Sequence, residues 1–307
     1  MRQNISMLKH KFISRLDGLS HFEDTFGGAM IELGYKNPIG RQVTGSKVFQ
    51  KLTSKAVDFW MSSSFSKTKV KDFVNNYGIK MSDFKVPADG FKSFNDFFIR
   101  QLNEGVREFP PENMGAPAEG RLSVFSLKDL STELYFKGVK QNIAQLLGGD
   151  EELAKNFIGG WAFVFRLCPV DYHRFHFCAT GPVNKASRVS GKLHSVNPVS
   201  LSFHPSAFVE NERQVTIQDS HKFGKLAYVE VGALCVGKIV QTYSPAVEAQ
   251  VGDEKGYFEF GGSTQILLTT STVEPSKDLQ DNTRNGLETL VQLGNEIASL
   301  SEKKAED

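Results

Sequence analysis

At 307 residues the chain can bury a substantial core, as one large unit or two smaller ones. Its 36 basic and 35 acidic side chains leave a formal charge of +1, which excludes a globally basic nucleic-acid binder. No run approaches the roughly 18 apolar residues of a spanning helix, and the opening MRQNISMLKHKFISRL lacks the apolar centre of a signal peptide.

Residues 1 to 105 read as mainly helical. The stretch Met7–Met30 sets Leu8, Phe12, Ile13, Leu16 and Leu19 among Lys and Arg, the pattern of an interfacial helix or of a surface helix packed on a core. Segments Ser46–Ser63 and Lys67–Tyr77 carry spaced apolar residues. In FKSFNDFFIRQL (Phe91–Leu102), Phe94, Phe97 and Phe98 fall on one helical stripe that faces a core. The run EFPPENMGAPAEG (Glu108–Gly120), with three prolines and two glycines, then breaks the pattern.

From residue 106 onward the chain is β-rich. RLSVFSL, WAFVFRL, KLAYVEVGALCVGKIVQTY and GYFEF are β-branched and aromatic runs bounded by turn residues, so they read as strands. A short helical insert is expected around Asn142–Gly148. GKLHSVNP and FVENERQV read as polar loops, with His194 and Arg213 in ordinary structural roles. Asn282–Ala298 reads as a C-terminal helix with Leu287, Leu290, Val291 and Ile297 on one side. The fold class is α+β, a helical N-terminal part on a mostly antiparallel β-rich core.

Two stretches could carry chemistry. DYHRFHF (Asp171–Phe177) holds His173 and His176, which could be locally satisfied polar residues, a metal pair or an acid–base pair. Zinc wants three or four ligands, and the remaining His, acidic and Cys residues show no ligand spacing. The cysteines (Cys168, Cys178, Cys235) form no CxxC, so neither a zinc ribbon nor a disulfide framework is expected.

The second stretch is FGGST, where Ser263 follows Gly262. Two glycines at the end of an aromatic strand suit a bulge or a hairpin end. They also give the backbone freedom for a serine Oγ to attack the carbonyl carbon before it, if a base removes the hydroxyl proton. Elimination from the resulting ester, then hydrolysis, converts the serine into a pyruvoyl group. No phosphate-cradling glycine loop and no G-x-S-x-G elbow is present.

The chain resembles the phosphatidylserine decarboxylase family. The blocks FKSFNDFFIR, APAEGR, FKGVKQNIAQLLG, RLCPVDYHRFHF, GKLHSVNP, FVENERQV, YVEVGALCVGKIV and KGYFEFGGST occur in the family's order between Phe91 and Leu268. The resemblance implies a proenzyme that cuts itself between Gly262 and Ser263, giving a β chain of 1–262 and an α chain of 263–307 that begins with the pyruvoyl group. It further implies His176 as the base that activates Ser263, with His173 serving the decarboxylation.

The implied reaction converts phosphatidylserine to phosphatidylethanolamine and carbon dioxide, with no metal, the pyruvoyl carbonyl doing the work that pyridoxal phosphate does elsewhere. The implied partners are phosphatidylserine in a membrane, the chain's own two fragments and a second copy in a homodimer, with no nucleic acid. The implied location is peripheral, on the cytoplasmic side of a membrane (the inner membrane in a bacterium). A soluble aromatic amino acid as substrate is the alternative within the same chemistry. One departure stands out. The family's carboxylate is usually an aspartate in P-x-D-[GSA], whereas this chain has Glu119 in PAEG, and the PADG at Pro87–Gly90 is out of register. Glu119 is expected to orient His176, with slowed maturation. A chain that never processed itself would instead be a lipid- or protein-binding pseudoenzyme.

Overall fold

The computed structural model describes residues 10–23, 46–133, 140–196, 198–234, 238–261 and 263–301. Its N-terminal part opens with a hairpin, β1 (His10–Ser14) and β2 (Ser20–Glu23), turned at Gly18 with φ 73°. A helix over Met7–Met30 is therefore not formed within the described residues, and Leu8 lies outside them. Phe12 is buried while Leu16 and Leu19 are exposed in the turn, so the apolar spacing served a strand pair.

Helices α1 (Lys47–Ser62) and α2 (Thr68–Tyr77) follow as expected, the first capped by the Ser46 hydroxyl and the second ended by Gly78 in the left-handed region. In the Phe91–Leu102 block only α3 (Phe94–Phe98) is helical. Its three phenylalanines, with Met61 of α1, Phe73 of α2 and Phe260, form a separate apolar cluster.

After the proline-rich turn come β3 (Met114–Gly115) and β4 (Gly120–Ser126), then β5 (Ser131–Glu133) and β6 (Lys140–Asn142). Two short helices, α4 (Ile143–Leu146) and α5 (Glu151–Lys155), lead into β7 (Trp161–Leu167), β8 (Arg174–His176) and β9 (Ser187–Val189). Residues 191–196 stay a loop as expected, but FVENERQV is not one: after α6 (Pro198–Phe203), α7 (Ala207–Glu210) and β10 (Arg213–Ser220) take up most of it. Arg213 donates to the carbonyls of Leu146 (2.7 Å) and Asn211 (2.8 Å), a structural role.

The remaining strands are β11 (Gly224–Val231), β12 (Ile239–Gln241), β13 (Glu254–Phe258), β14 (Ser263–Thr269), β15 (Val273–Pro275), β16 (Glu288–Val291) and β17 (Glu296–Leu300). The C-terminal segment thus departs from the expected helix. Only α8 (Lys277–Arg284) is helical, and Gly286 (φ 74°) and Gly294 (φ 78°) turn the chain into β16 and β17. Leu290, Val291 and Ile297 match a helical period by coincidence. The left-handed turns between them cannot continue a helix.

Nine strands form one sheet in the order β2-β1-β16-β4-β7-β14-β11-β10-β9, antiparallel apart from the β1–β16 pair. β14 lies centrally, and all seven of its residues are buried between β7 and β11. A smaller sheet, β12-β13-β8, carries the DYHRFHF segment.

Buried charge ties the N-terminal hairpin to the sheet. Arg166 of β7 donates to Glu23 (2.6 Å) and Glu288 (2.5 Å), and Arg121 of β4 reaches Glu23 (3.4 Å) and Asp171. Burial alone would raise the Glu23 carboxyl, but Arg166 and then Arg121 bring it down to about 2.

Candidate active site

The sheet register brings the singled-out motifs to one end of three adjacent strands. Thr264 of β14 pairs with Arg166 of β7, and Arg166 with Arg121 of β4. One step outward lie Ser263, Leu167 and Gly120. Gly120 must be glycine, since a Cβ there would meet the Arg166 carbonyl oxygen at 2.6 Å, at φ 151°. The residue before it is Glu119. The chain leaving Leu167 forms the Cys168–His173 loop.

Ser263 is fully buried, and its Oγ has no hydrogen-bond partner. Gly262 lies outside the described residues. Gly261 holds φ 144°, a conformation that side chains rarely adopt, so the glycine before the pair answers a backbone demand.

His173 is also fully buried, its ring 3.8 Å from that of Phe98, and Phe98 packs 5.1 Å from Phe260. Its Nδ1 lies 3.0 Å from the Asp171 carbonyl oxygen. A carbonyl only accepts, so Nδ1 carries the proton and Nε2 is a bare lone pair, and that atom too has no partner. Burial, then the charge of Arg100, pushes the imidazole down to about 3, so it is neutral at pH 7.

His176 is held differently. Its Nδ1–H donates to the Gly252 carbonyl at 2.8 Å, leaving Nε2 to accept from the Tyr172 hydroxyl at 3.2 Å. Its backbone N–H donates to the Pro117 carbonyl at 2.8 Å, which stitches HRFH to the PAEG turn. Burial lowers its pKa below the usual imidazole value.

Glu119 sits in that turn, and its carboxylate goes elsewhere. Oε1 accepts from Arg107 Nε at 2.6 Å and from the Leu293 N–H at 3.3 Å. No hydrogen bond or ion pair joins it to His176. Burial raises the Glu119 carboxyl, with Arg107 opposing. The structure therefore brings together the segments bearing Glu119, His173, His176 and Ser263, while the orienting partners of His176 are Gly252 and Tyr172.

The model of the family described as phosphatidylserine decarboxylase matches residues 94–299. A curated relative from Clostridium perfringens, a phosphatidylserine decarboxylase proenzyme, is 39% identical over 280 residues, covering 90% of this chain and 95% of its own. Another of the same name from Clostridium novyi is 38% identical over 292 residues, covering 94% and 99%. One from Clostridium botulinum is 36% identical with the same coverage. The chain belongs to the phosphatidylserine decarboxylase family.

Several groups around these family motifs were not legible as site residues. Tyr172 stands inside DYHRFHF, yet only the folded loop aims its hydroxyl at His176. Arg107, in the turn-like NEGVREF, shows no sign of reaching Glu119 twelve residues on. Asp171 is fixed by the Cys168 N–H (2.6 Å) and by Arg121, so the loop between β7 and β8 is locked by charge. Its proline-started CPVDYH wording was the one available hint.

Proposed function

We propose that this chain is a self-processing, pyruvoyl-dependent decarboxylase that converts phosphatidylserine to phosphatidylethanolamine and carbon dioxide. The observation that carries the self-processing is the Ser263 hydroxyl, buried and unsatisfied at the head of a central strand. Buried hydroxyls normally find a partner, and one left without it costs stability that a reactive group must bear. The residues present fit a serine-derived group at this position.

In the processing step, Ser263 Oγ attacks the Gly262 carbonyl carbon, His176 takes the hydroxyl proton at Nε2 and delivers it to the Ser263 nitrogen, and the C–N bond breaks to leave an ester. Tyr172 must release that Nε2 first. Loss of the Ser263 α proton then expels the Gly262 carboxylate, and hydrolysis releases ammonia to leave the pyruvoyl group. After cleavage the 263–307 chain keeps β14 between β7 and β11, with β16 between β1 and β4, so the two fragments stay joined by the sheet. The pyruvoyl group, once formed, supplies an electron sink for the departing carboxylate of the substrate. His173 is the residue that the family resemblance assigns to the decarboxylation, where a proton must be placed on the carbon that loses carbon dioxide.

Intact mass and a substrate panel test this reading. The expected result is two chains meeting at Gly262/Ser263, with the 263–307 chain blocked to Edman chemistry, and phosphatidylethanolamine formed from phosphatidylserine vesicles. Decarboxylation of free aromatic amino acids with the vesicles untouched would overturn the lipid assignment.

Among the described residues no helix is long and apolar enough to cross a membrane. The surface that suits a bilayer is α1 with the turn after it, in place of the N-terminal stretch. Val48, Leu52, Phe59 and Phe65 are exposed there, Phe59 at 81% and Phe65 at 84%, among the exposed Lys51, Lys55, Lys67, Lys69 and Lys71. Apolar rings inserted at the headgroup level beside lysines are how a peripheral protein holds an anionic leaflet. The inner side of α1 packs on the cluster that includes Phe98, the ring against His173.

Phe59→Ser with Phe65→Ser removes about 2 kcal/mol of apolar burial each. The double variant is expected to bind phosphatidylserine vesicles on the order of 1000-fold more weakly in flotation, while still cutting itself. Unchanged flotation would rule this face out.

A further inference from the structure

Away from these motifs, the fold assembles three metal-binding side chains that the sequence scatters over seventeen positions. His194 lies between β9 and α6, His204 directly after α6, and Glu210 at the end of α7. Their donor atoms all lie within 4.8 Å of one another. His194 Nε2 is 3.6 Å and His204 Nε2 3.3 Å from the same oxygen, Glu210 Oε2. The two imidazole rings lie with centroids 3.9 Å apart, tilted by 36° to one another.

Neither Nε2 makes a well-aligned hydrogen bond among the described residues, although both atoms are buried and His194 is only 4% exposed. Two unsatisfied ring nitrogens aimed at one carboxylate oxygen are a costly arrangement for a cluster held by hydrogen bonds alone. The spacing matches coordination better. Zinc bonds of about 2.0–2.1 Å at tetrahedral angles separate neighbouring ligand atoms by about 3.3 Å.

The surroundings also suit a metal. Ser206 Oγ donates to the other Glu210 oxygen at 2.6 Å and fixes the carboxylate. Gln50 Oε1 accepts from the Leu193 N–H at 2.9 Å, and its Nε2 lies 3.4 Å from His194 Nδ1. Lys192 Nζ stands 3.0 Å from Glu210 Oε2, on a side chain 36% exposed. It is a cation on the same carboxylate oxygen, and so a competitor of a metal for Glu210.

We propose that His194, His204 and Glu210 bind one divalent cation of the zinc class, with the fourth position left to solvent. Such an ion clamps the segment from β9 to β10 beneath α1. Asn211, one residue past Glu210, donates to the carbonyls of His194 and Gly232, both at 2.8 Å, so the clamp also braces the end of β11. The next residue inward, Val231, pairs with Thr264 beside Ser263.

The test uses the full chain, stripped with chelator and titrated with zinc chloride by calorimetry, then with cobalt chloride for its visible ligand-field bands. The expected result is one equivalent per chain, a tetrahedral cobalt spectrum and a melting temperature that rises with zinc concentration. His204→Gln and Glu210→Gln alter partly exposed residues. Each is expected to weaken binding at least about 100-fold while leaving the metal-free melt unchanged. Lys192→Met is expected to tighten binding about tenfold by removing the competing cation.

A wild-type chain that retains no zinc at micromolar free metal would overturn the proposal. So would zinc affinity untouched by His204→Gln and Glu210→Gln, since the ion would then lie elsewhere. A Lys192→Met chain that binds no tighter would remove Glu210 from the ligand set.

Discussion

A Ser263→Ala chain is expected to remain a single 307-residue polypeptide, to contain no pyruvoyl group and to form no phosphatidylethanolamine. The serine is both the nucleophile and the atom source of the cofactor, so its loss leaves no slower route. Losing a nucleophile from a concerted constellation costs about 10⁶-fold, which stops maturation on any practical time scale. The same substitution should not harm the fold. It deletes a buried hydroxyl that has no partner, so stability is expected to hold or to rise by about 1 kcal/mol. Intact mass and a denaturant melt read the two effects on one preparation. Continued cleavage at 262/263 would sink the assignment of Ser263. A marked loss of stability would show that the hydroxyl is a structural group after all.

The second large effect concerns Glu119. If its carboxylate supports His176 during processing, Glu119→Gln is expected to slow the appearance of the two chains by about 100-fold, and Glu119→Asp by less. A misplacement of about 1 Å in a reacting constellation costs that much. The geometry sets a clear condition: the carboxylate is now committed to Arg107 at 2.6 Å and must turn from it to reach His176. Tyr172→Phe provides the contrast. It frees His176 Nε2 without touching the carboxylate, so processing is expected to be at least as fast as in the parent chain.

Time courses on denaturing gels separate the cases. Melts are needed alongside, because Glu119→Gln leaves the part-buried Arg107 guanidinium with Asp83 at 3.5 Å as its one acidic partner among the described residues. Parent-like maturation of a stable Glu119→Gln chain would leave the orientation of His176 to the Gly252 carbonyl alone.

The amino-acid sequence carried the chemistry of this protein further than its shape. The FGGST and DYHRFHF wording, with the ordered blocks around it, singled out Ser263, His173 and His176 as candidates without reference to the fold. Such motifs are local, and their chemistry fixes which residue types can stand there. Several strands of the core were equally legible, because β4, β7 and β11 are β-branched and aromatic runs bounded by turn residues. The N-terminal hairpin and the strands after α8 were not. Their apolar spacing fits a helix, and the decision lay with Gly18, Gly286 and Gly294, whose left-handed turns let distant strands pair.

Side-chain partnerships belong wholly to the tertiary structure. Sequence alone gave Glu119 to His176, whereas the folded chain gives it Arg107 and gives His176 to Gly252 and Tyr172. Likewise His194, His204 and Glu210 show no ligand spacing along the chain, yet two short helices fold their donor atoms to within 4.8 Å. The reason is common to both. A motif specifies what a residue can do, but hydrogen bonds and ion pairs go to whichever group packing places within about 3 Å, and long-range packing leaves no mark on neighbouring letters.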